Sequence, residues 1–222
     1  MKIIFCAYRD WALRVMDSVR QHSKCEKLLW ASSNHDLEHA LNNSDVEYDV
    51  AMFAGWSTPP DEWTTKKILM VTEHPATSDR YTPGSPLQNQ ILDGIRYTKH
   101  RIVRMGYPEL DPHLWSHQVN MDLTGNMSYI LNQMEWTSKH LFNMFMDDFP
   151  NIEWKNWPTV TPDMHMKRRT PGDSVLSKEQ LSKMTSQQLF DFIRCLEDPY
   201  PNACFEDEHG VVYFNKATFK AK

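Results

Sequence analysis

Cysteine pairs, long apolar runs and an excess of positive charge are all missing from this sequence. Cys6, Cys25, Cys195 and Cys204 are scattered, with no C-x-x-C spacing among them. That pattern excludes a disulfide frame and a zinc knuckle, and it suits reduced thiols in a cytoplasmic protein. No apolar run approaches the roughly 20 residues a membrane-spanning helix needs, so no membrane partner is expected. The opening MKIIFCAYRD holds too few apolar residues for a signal peptide and reads as a first buried strand. The 24 basic residues fall short of the 29 acidic ones, giving a formal net charge of −5. A chain built to grip a polyphosphate backbone is usually basic, so nucleic acid is not an expected partner.

What is present is ordinary globular material. Hydrophobic residues make up 41% and charged residues 24%, which excludes a disordered or fibrous chain. The 222 residues suffice for one full core, or a core with a small appendage. Thirteen methionines and eight tryptophans suit adaptable core packing, and a loop tryptophan can also line a ligand site.

Short apolar runs at Ile3 to Ala7, Leu28 to Ala31, Val50 to Ala54 and Ile68 to His74 read as buried strands. Helical periodicity separates them at Asp10 to Gln21 and at Asn34 to Leu41, the latter capped by Asn34. Alternating strands and helices imply an α/β fold, an open, mostly parallel twisted sheet with helices on both faces. Ligands bind such sheets beyond the carboxyl ends of the strands, which points to the residues just after the first, third and fourth runs. Further along, Pro86 opens a helix that Gly94 ends, Ile102 to Met105 and Val119 to Leu123 are strands, and residues 106–112 form a loop. A long helix covers Met127 to Asp148. Residues 1–150 form the expected main domain. Residues 151–222 form a linker and C-terminal extension, with a helix from Lys178 to Leu196 and a hairpin near Gly210, that caps the core or makes a homodimer contact.

The informative residues are Thr72-Glu73-His74-Pro75, Arg80-Tyr81, Gly84-Ser85-Pro86-Leu87-Gln88 and Leu110-Asp111. Two further segments join them: Gly55-Trp56-Ser57 and Lys167-Arg168-Arg169-Thr170-Pro171-Gly172-Asp173-Ser174. Together and in this order they resemble the formyltransferases that use 10-formyltetrahydrofolate, and most closely the branch that formylates aminosugars attached to nucleotides. The resemblance implies a Rossmann-like catalytic domain and no metal. It makes His74 the donor to the oxyanion and Asp111 the proton relay. It places the folate between Gly55, Trp56, Ser57, Thr58 and Glu109, Leu110, Asp111. The aminosugar nucleotide lies along Arg80, Tyr81 and Ser85. Arg9 and Trp11, which follow the first strand, are added as a phosphate contact and a base-stacking ring.

The residue types fit this chemistry. An amine attacks a formyl carbon, negative charge develops on its oxygen, and an imidazole donor there stabilises the intermediate. A neighbouring carboxylate raises the imidazole pKa and carries the proton from the amine to the leaving nitrogen. The family has Asn two residues before the histidine, on the same side of the strand; here Thr72 stands there with one donor instead of two. That departure keeps a non-catalytic folate-binding module open as an alternative, beside a formyltetrahydrofolate hydrolase. Three other readings weigh less. Ala7-Tyr8-Arg9-Asp10 lacks the glycine-rich phosphate loop of glycinamide ribonucleotide formylation, and the acidic balance disfavours initiator-tRNA formylation. His35-Asp36-Leu37-Glu38-His39 matches a zinc pattern formally but has no evident third ligand. The run Lys167, Arg168, Arg169 is most simply solvated.

Overall fold

A computed structural model describes residues 1–56, 68–81, 84–105, 114–156 and 160–222. The chain divides into two compact units that interleave along the sequence. One gathers Met1–Pro75, Lys99–Asn120 and Asn132–Pro158; the other gathers Ala76–Thr98, Met121–Leu131 and Thr159–Lys222.

The first unit carries most of a seven-stranded sheet. Its strands are β1 (Lys2–Cys6), β2 (Lys27–Ala31), β3 (Val50–Phe53), β4 (Leu69–Pro75), β5 (Tyr97–Arg104), β6 (Leu114–Asp122) and β7 (Trp154–Lys155), in the order β2-β1-β3-β4-β5-β6-β7. The strands β2, β1, β3 and β4 run parallel, β5 returns antiparallel to β4, and β7 is antiparallel to β6. This is the expected α/β sheet, with a longer antiparallel β5 than the apolar run at 102–105 implied.

The central strands are apolar on both faces because both faces are covered. Ile3, Ile4, Phe5 and Cys6 of β1 have no exposed surface, and neither do Val50 to Phe53 of β3. On one face, Ile4, Cys6, Ala51, Phe53 and Met70 pack with Leu37 and Ala40 of α2 (Asn34–Asn43). On the other, Phe5 meets Phe142 of α4 (Met127–Asp148) edge to face at 5.6 Å. Helix α1 (Asp10–Arg20) is tied to α4 by Arg14 to Glu135 at 2.8 Å and by Asn143 to Ser18 at 3.1 Å. It buries Trp11, Ala12, Val15, Met16 and Val19, spaced as one helical stripe. Ser33, rather than Asn34, caps α2: its hydroxyl accepts the Asp36 N–H at 3.1 Å, so the helix begins one residue earlier than expected.

The second unit contains α3 (Pro86–Leu92), the helices α5 (Lys178–Lys183) and α6 (Ser186–Arg194), and a small sheet ordered β10-β9-β8. Its strands are β8 (Val175–Leu176), β9 (Ala203–Asp207) and β10 (Gly210–Phe214), and β9 and β10 form the expected hairpin. The single helix expected over 178–196 is two. Thr185 starts the second with a capping box: its hydroxyl accepts the Gln188 N–H at 3.2 Å and its own N–H goes to Gln188 Oε1 at 2.9 Å. The loop expected at 106–112 lies outside the described residues.

Candidate functional site

Because β1 has β2 on one side and β3 on the other, the sheet changes direction between β1 and β3. The crevice at their carboxyl ends is where open α/β sheets take ligands. Tyr8 and Arg9 follow β1 there; Gly55 and Trp56 follow β3. Gly55 adopts φ +61°, and a Cβ at that position would lie 2.8 Å from the Trp11 ring, so both conformation and space call for glycine. Its carbonyl accepts from Arg9 Nε at 3.3 Å. Trp56 packs against Phe53 and Tyr8, with ring centroids 5.5 Å apart in each pair, and donates its indole N–H to Asn34 at 3.1 Å.

Sequence reasoning gave the stacking role here to Trp11. That ring is 9% exposed and packed behind Gly55 as part of the α1 stripe. Tyr8 is 42% exposed, with the Arg9 guanidinium 5.3 Å over its ring. The signal was in the sequence: Trp11, Val15 and Val19 share one helical face, whereas Tyr8 precedes the helix.

Alternation along β4 sets Met70, Thr72 and His74 on one face and Val71, Glu73 and Pro75 on the other. Thr72 pairs with Phe53, and its hydroxyl lies 3.2 Å from the carbonyls of Phe53 and Glu73, so its one proton is engaged by backbone. His74 sits partly buried near the end of the strand, opposite Arg101. Burial lowers its imidazole to about 4; the Glu73 carboxylate pulls the other way, and the positive charges of His100 and Arg101 add to the depression. With these neighbours the ring is neutral near pH 7; Asp111, the carboxylate expected to raise it, lies outside the described residues. Neutral imidazole keeps one N–H to donate and one nitrogen to accept a proton.

On the opposite face, Glu73 is buried. Burial raises its carboxyl, but the hydrogen bond and charge of His100 and the Gly55 N–H outweigh that and leave it below its ordinary value. Its partners are Gly55 N at 2.9 Å and His100 Nε2 at 2.7 Å; His100 Nδ1 lies 2.6 Å from the Thr137 hydroxyl of α4. Strand alternation by itself separates Glu73 from Thr72 and His74, but it does not reveal His100 and Thr137 as the partners of this carboxylate.

In the second unit the remaining motif residues hold one another. Tyr81 is 4% exposed and donates to Asp93 at 3.0 Å; Arg80 lies 3.6 Å from the same carboxylate and donates to the Met164 carbonyl at 3.3 Å. The backbone then runs alongside residues 164–169. Met166 N–H reaches the Arg80 carbonyl at 2.6 Å, Asn89 donates to the carbonyls of Gly84 and Lys167 at 3.1 Å each, and Arg169 N–H reaches the Ser85 hydroxyl at 3.0 Å. A Cβ on Gly84 would fall 2.8 Å from the Arg168 Cα. The run Lys167, Arg168, Arg169 is thus a strap fastened to the 80–89 segment as well as a charged surface. Ser57, Thr58, Glu109, Leu110 and Asp111 lie outside the described residues. Among the described residues no three His, Cys, Asp or Glu side chains converge to hold a metal ion, and no helix is long and apolar enough to cross a membrane.

No family model and no curated protein sequence matches the chain. Solved structures do. The methionyl-tRNA formyltransferase from Clostridium thermocellum aligns with a TM-score of 0.75 at 19% identity, covering 99% of this chain and 94% of that one. A sugar N-formyltransferase from a Shewanella species aligns with a TM-score of 0.69 at 13% identity, covering 100% and 99%. HypX from Aquifex aeolicus in complex with tetrahydrofolic acid aligns with a TM-score of 0.67 at 14% identity, covering 93% of this chain and 36% of that one. The chain has the fold that these three proteins share.

Proposed function

We propose that the protein is an N-formyltransferase that carries the formyl group of 10-formyltetrahydrofolate to the amine of a nucleotide-linked aminosugar. The fold supports formyl transfer in general. The observation that carries the reading is a neutral, partly buried imidazole, His74, at the carboxyl end of β4, with the Gly55–Trp56 turn at the end of the neighbouring strand. In this reading the amine nitrogen bonds to the formyl carbon and its carbonyl becomes an oxyanion that the His74 N–H stabilises. The bond from carbon to the folate nitrogen then breaks, and the amine proton passes to that nitrogen through Asp111. Thr72, its hydroxyl engaged by backbone, shapes the face beside His74. The donor is assigned to Gly55, Trp56, Ser57, Thr58, Glu109, Leu110 and Asp111. The acceptor is assigned to Arg80, with Tyr81 and Ser85 shaping its segment, and Arg9 is the candidate phosphate contact.

The engaged Thr72 hydroxyl favours one second reading, a binding module that holds folate without turnover. Thermal unfolding with 5-formyltetrahydrofolate tests both. Ligand at 100 times its dissociation constant adds about 2.7 kcal/mol, a rise of roughly 5–10 °C for a chain of this size. No shift at millimolar ligand refutes both readings. A shift without tetrahydrofolate release, across a panel of aminosugar nucleotides, selects the binding module.

A further inference from the structure

Glu73 follows Thr72 and precedes His74, yet it faces the opposite side of β4, and the reaction just described makes no use of it. Enclosing a carboxylate is costly unless each oxygen is engaged. Both are. Oε1 accepts the Gly55 N–H at 2.9 Å and Oε2 meets His100 Nε2 at 2.7 Å. The chain continues from His100 to the Thr137 hydroxyl, itself 2.7 Å from the Gln133 carbonyl within α4. Four residues thus link the turn after β3 to β4, β5 and the long helix.

The far end of this chain is the Gly55 turn, which is held on three sides. Glu73 takes its N–H, Arg9 holds its carbonyl, and the Trp11 ring fills the space a side chain would need. Its left-handed φ directs Trp56 onto Phe53 and Tyr8 at the sheet's change of direction. A charged group is well suited to this task, because a hydrogen bond from backbone to a carboxylate is stronger than one to a neutral oxygen. His100 fixes the carboxylate's orientation in turn.

We propose that Glu73 is a positioning residue for formyl transfer: its carboxylate, oriented by His100, fixes the Gly55–Trp56 turn against the strand that bears His74. The proposal rests on the reading of that turn as a donor contact. It differs from a plain stabilising ion pair, which would set the melting temperature and leave the affinity of a folded molecule for its donor unchanged.

Two variants separate these roles. Glu73→Gln keeps an acceptor for Gly55 and supplies a donor to His100. Glu73→Leu combined with His100→Phe removes both polar partners, so that neither is left enclosed alone. Gly55 amide hydrogen exchange and steady-state kinetics are measured well below each melting temperature. In the double variant the Gly55 amide exchanges roughly a hundredfold faster. The KM for the formyl donor rises about tenfold while kcat stays within about threefold. Glu73→Gln restores KM to within about threefold of the parent. A folded double variant with unchanged donor KM overturns the proposal, whatever its Gly55 exchange. If the parent protein neither binds nor consumes the donor, the formyl-transfer reading falls, and a protected Gly55 amide then shows Glu73 to be purely structural, which overturns the positioning role as well.

Discussion

Gly55 and Gly84 both stand where a side chain does not fit, but for different reasons. At Gly55 the backbone is left-handed, and the atoms a Cβ would strike belong to side chains, the Trp11 ring and Arg9 Cδ. At Gly84 the obstacle is the Arg168 backbone together with its Cβ, only 2.5 Å away. The polar side chains around the two differ in the same way. Near Gly55 one pair, Glu73 and His100, meets across strands, while Glu73, Arg9 and Thr72 also hold backbone groups. Near Gly84 they are spent on backbone: Asn89 on Gly84 and Lys167, Ser85 on Arg169. On the proposed function, a motif that reads as continuous in the sequence divides into a reacting half around His74 on β4 and a half after β4 that scaffolds the acceptor side.

The sharpest test of that split is His74→Ala. Removing the proposed oxyanion donor lowers kcat about 10²–10³-fold, with donor affinity changed only a few-fold. The pH behaviour follows from the low folded value of His74. With the imidazole at about 4 in the free folded protein, its limb of the kcat/KM profile falls only as pH drops toward 4, and that profile is flat through pH 6–8. Between the unfolded value, ~6.5, and about 4 the unfolded chain binds the proton that the folded chain refuses. Stability therefore declines as pH falls through that window and is unaffected by this group above it. An activity midpoint near 6.5 assigned to His74 would erase the distinction between the two halves.

Gly84→Ala comes next and should act on stability alone. Forcing a methyl against backbone costs about 1–3 kcal/mol, read as a lower melting temperature with kcat per folded molecule unchanged. A loss of kcat at full folding would move Gly84 into the reacting half. The smallest effect is expected for Tyr81→Phe, which removes one hydrogen bond to Asp93 and costs about 1 kcal/mol; calorimetry at neutral pH reads it directly.

The fold was legible in the sequence wherever burial imposes a simple pattern. Four apolar runs became β1 to β4, and the long helix at 127–148 has the expected bounds. The two-residue period of β4 correctly separated Glu73 from His74. What stayed hidden depends on distant partners or on local caps that apolar spacing does not register. His100 meets Glu73 across a strand pair, 27 residues on. The break at Thr185 sits inside a run whose apolar residues continue at Leu181, Leu189 and Phe192, so periodicity passed over the Thr-x-x-Gln signal. The strap at 164–169 looked like exposed charge because its fastening uses backbone groups, which composition cannot show. Ser57, Thr58, Glu109, Leu110 and Asp111 lie outside the described residues.

The interleaving of the two units has a consequence for how the chain can be handled as parts. Arg194, fully enclosed in α6, is bonded to Asp191 and to the carbonyls of Leu123 and Gly125, while Arg96 reaches the same Asp191 at 3.1 Å and Glu197 receives the Met127 N–H. Cutting at residue 150, where composition suggests a boundary, would strip residues 76–98 and 121–131 of these partners and leave their backbone acceptors enclosed by nothing. The C-terminal third is not a detachable cassette: it can be exchanged between relatives only together with two inserts from the middle of the chain.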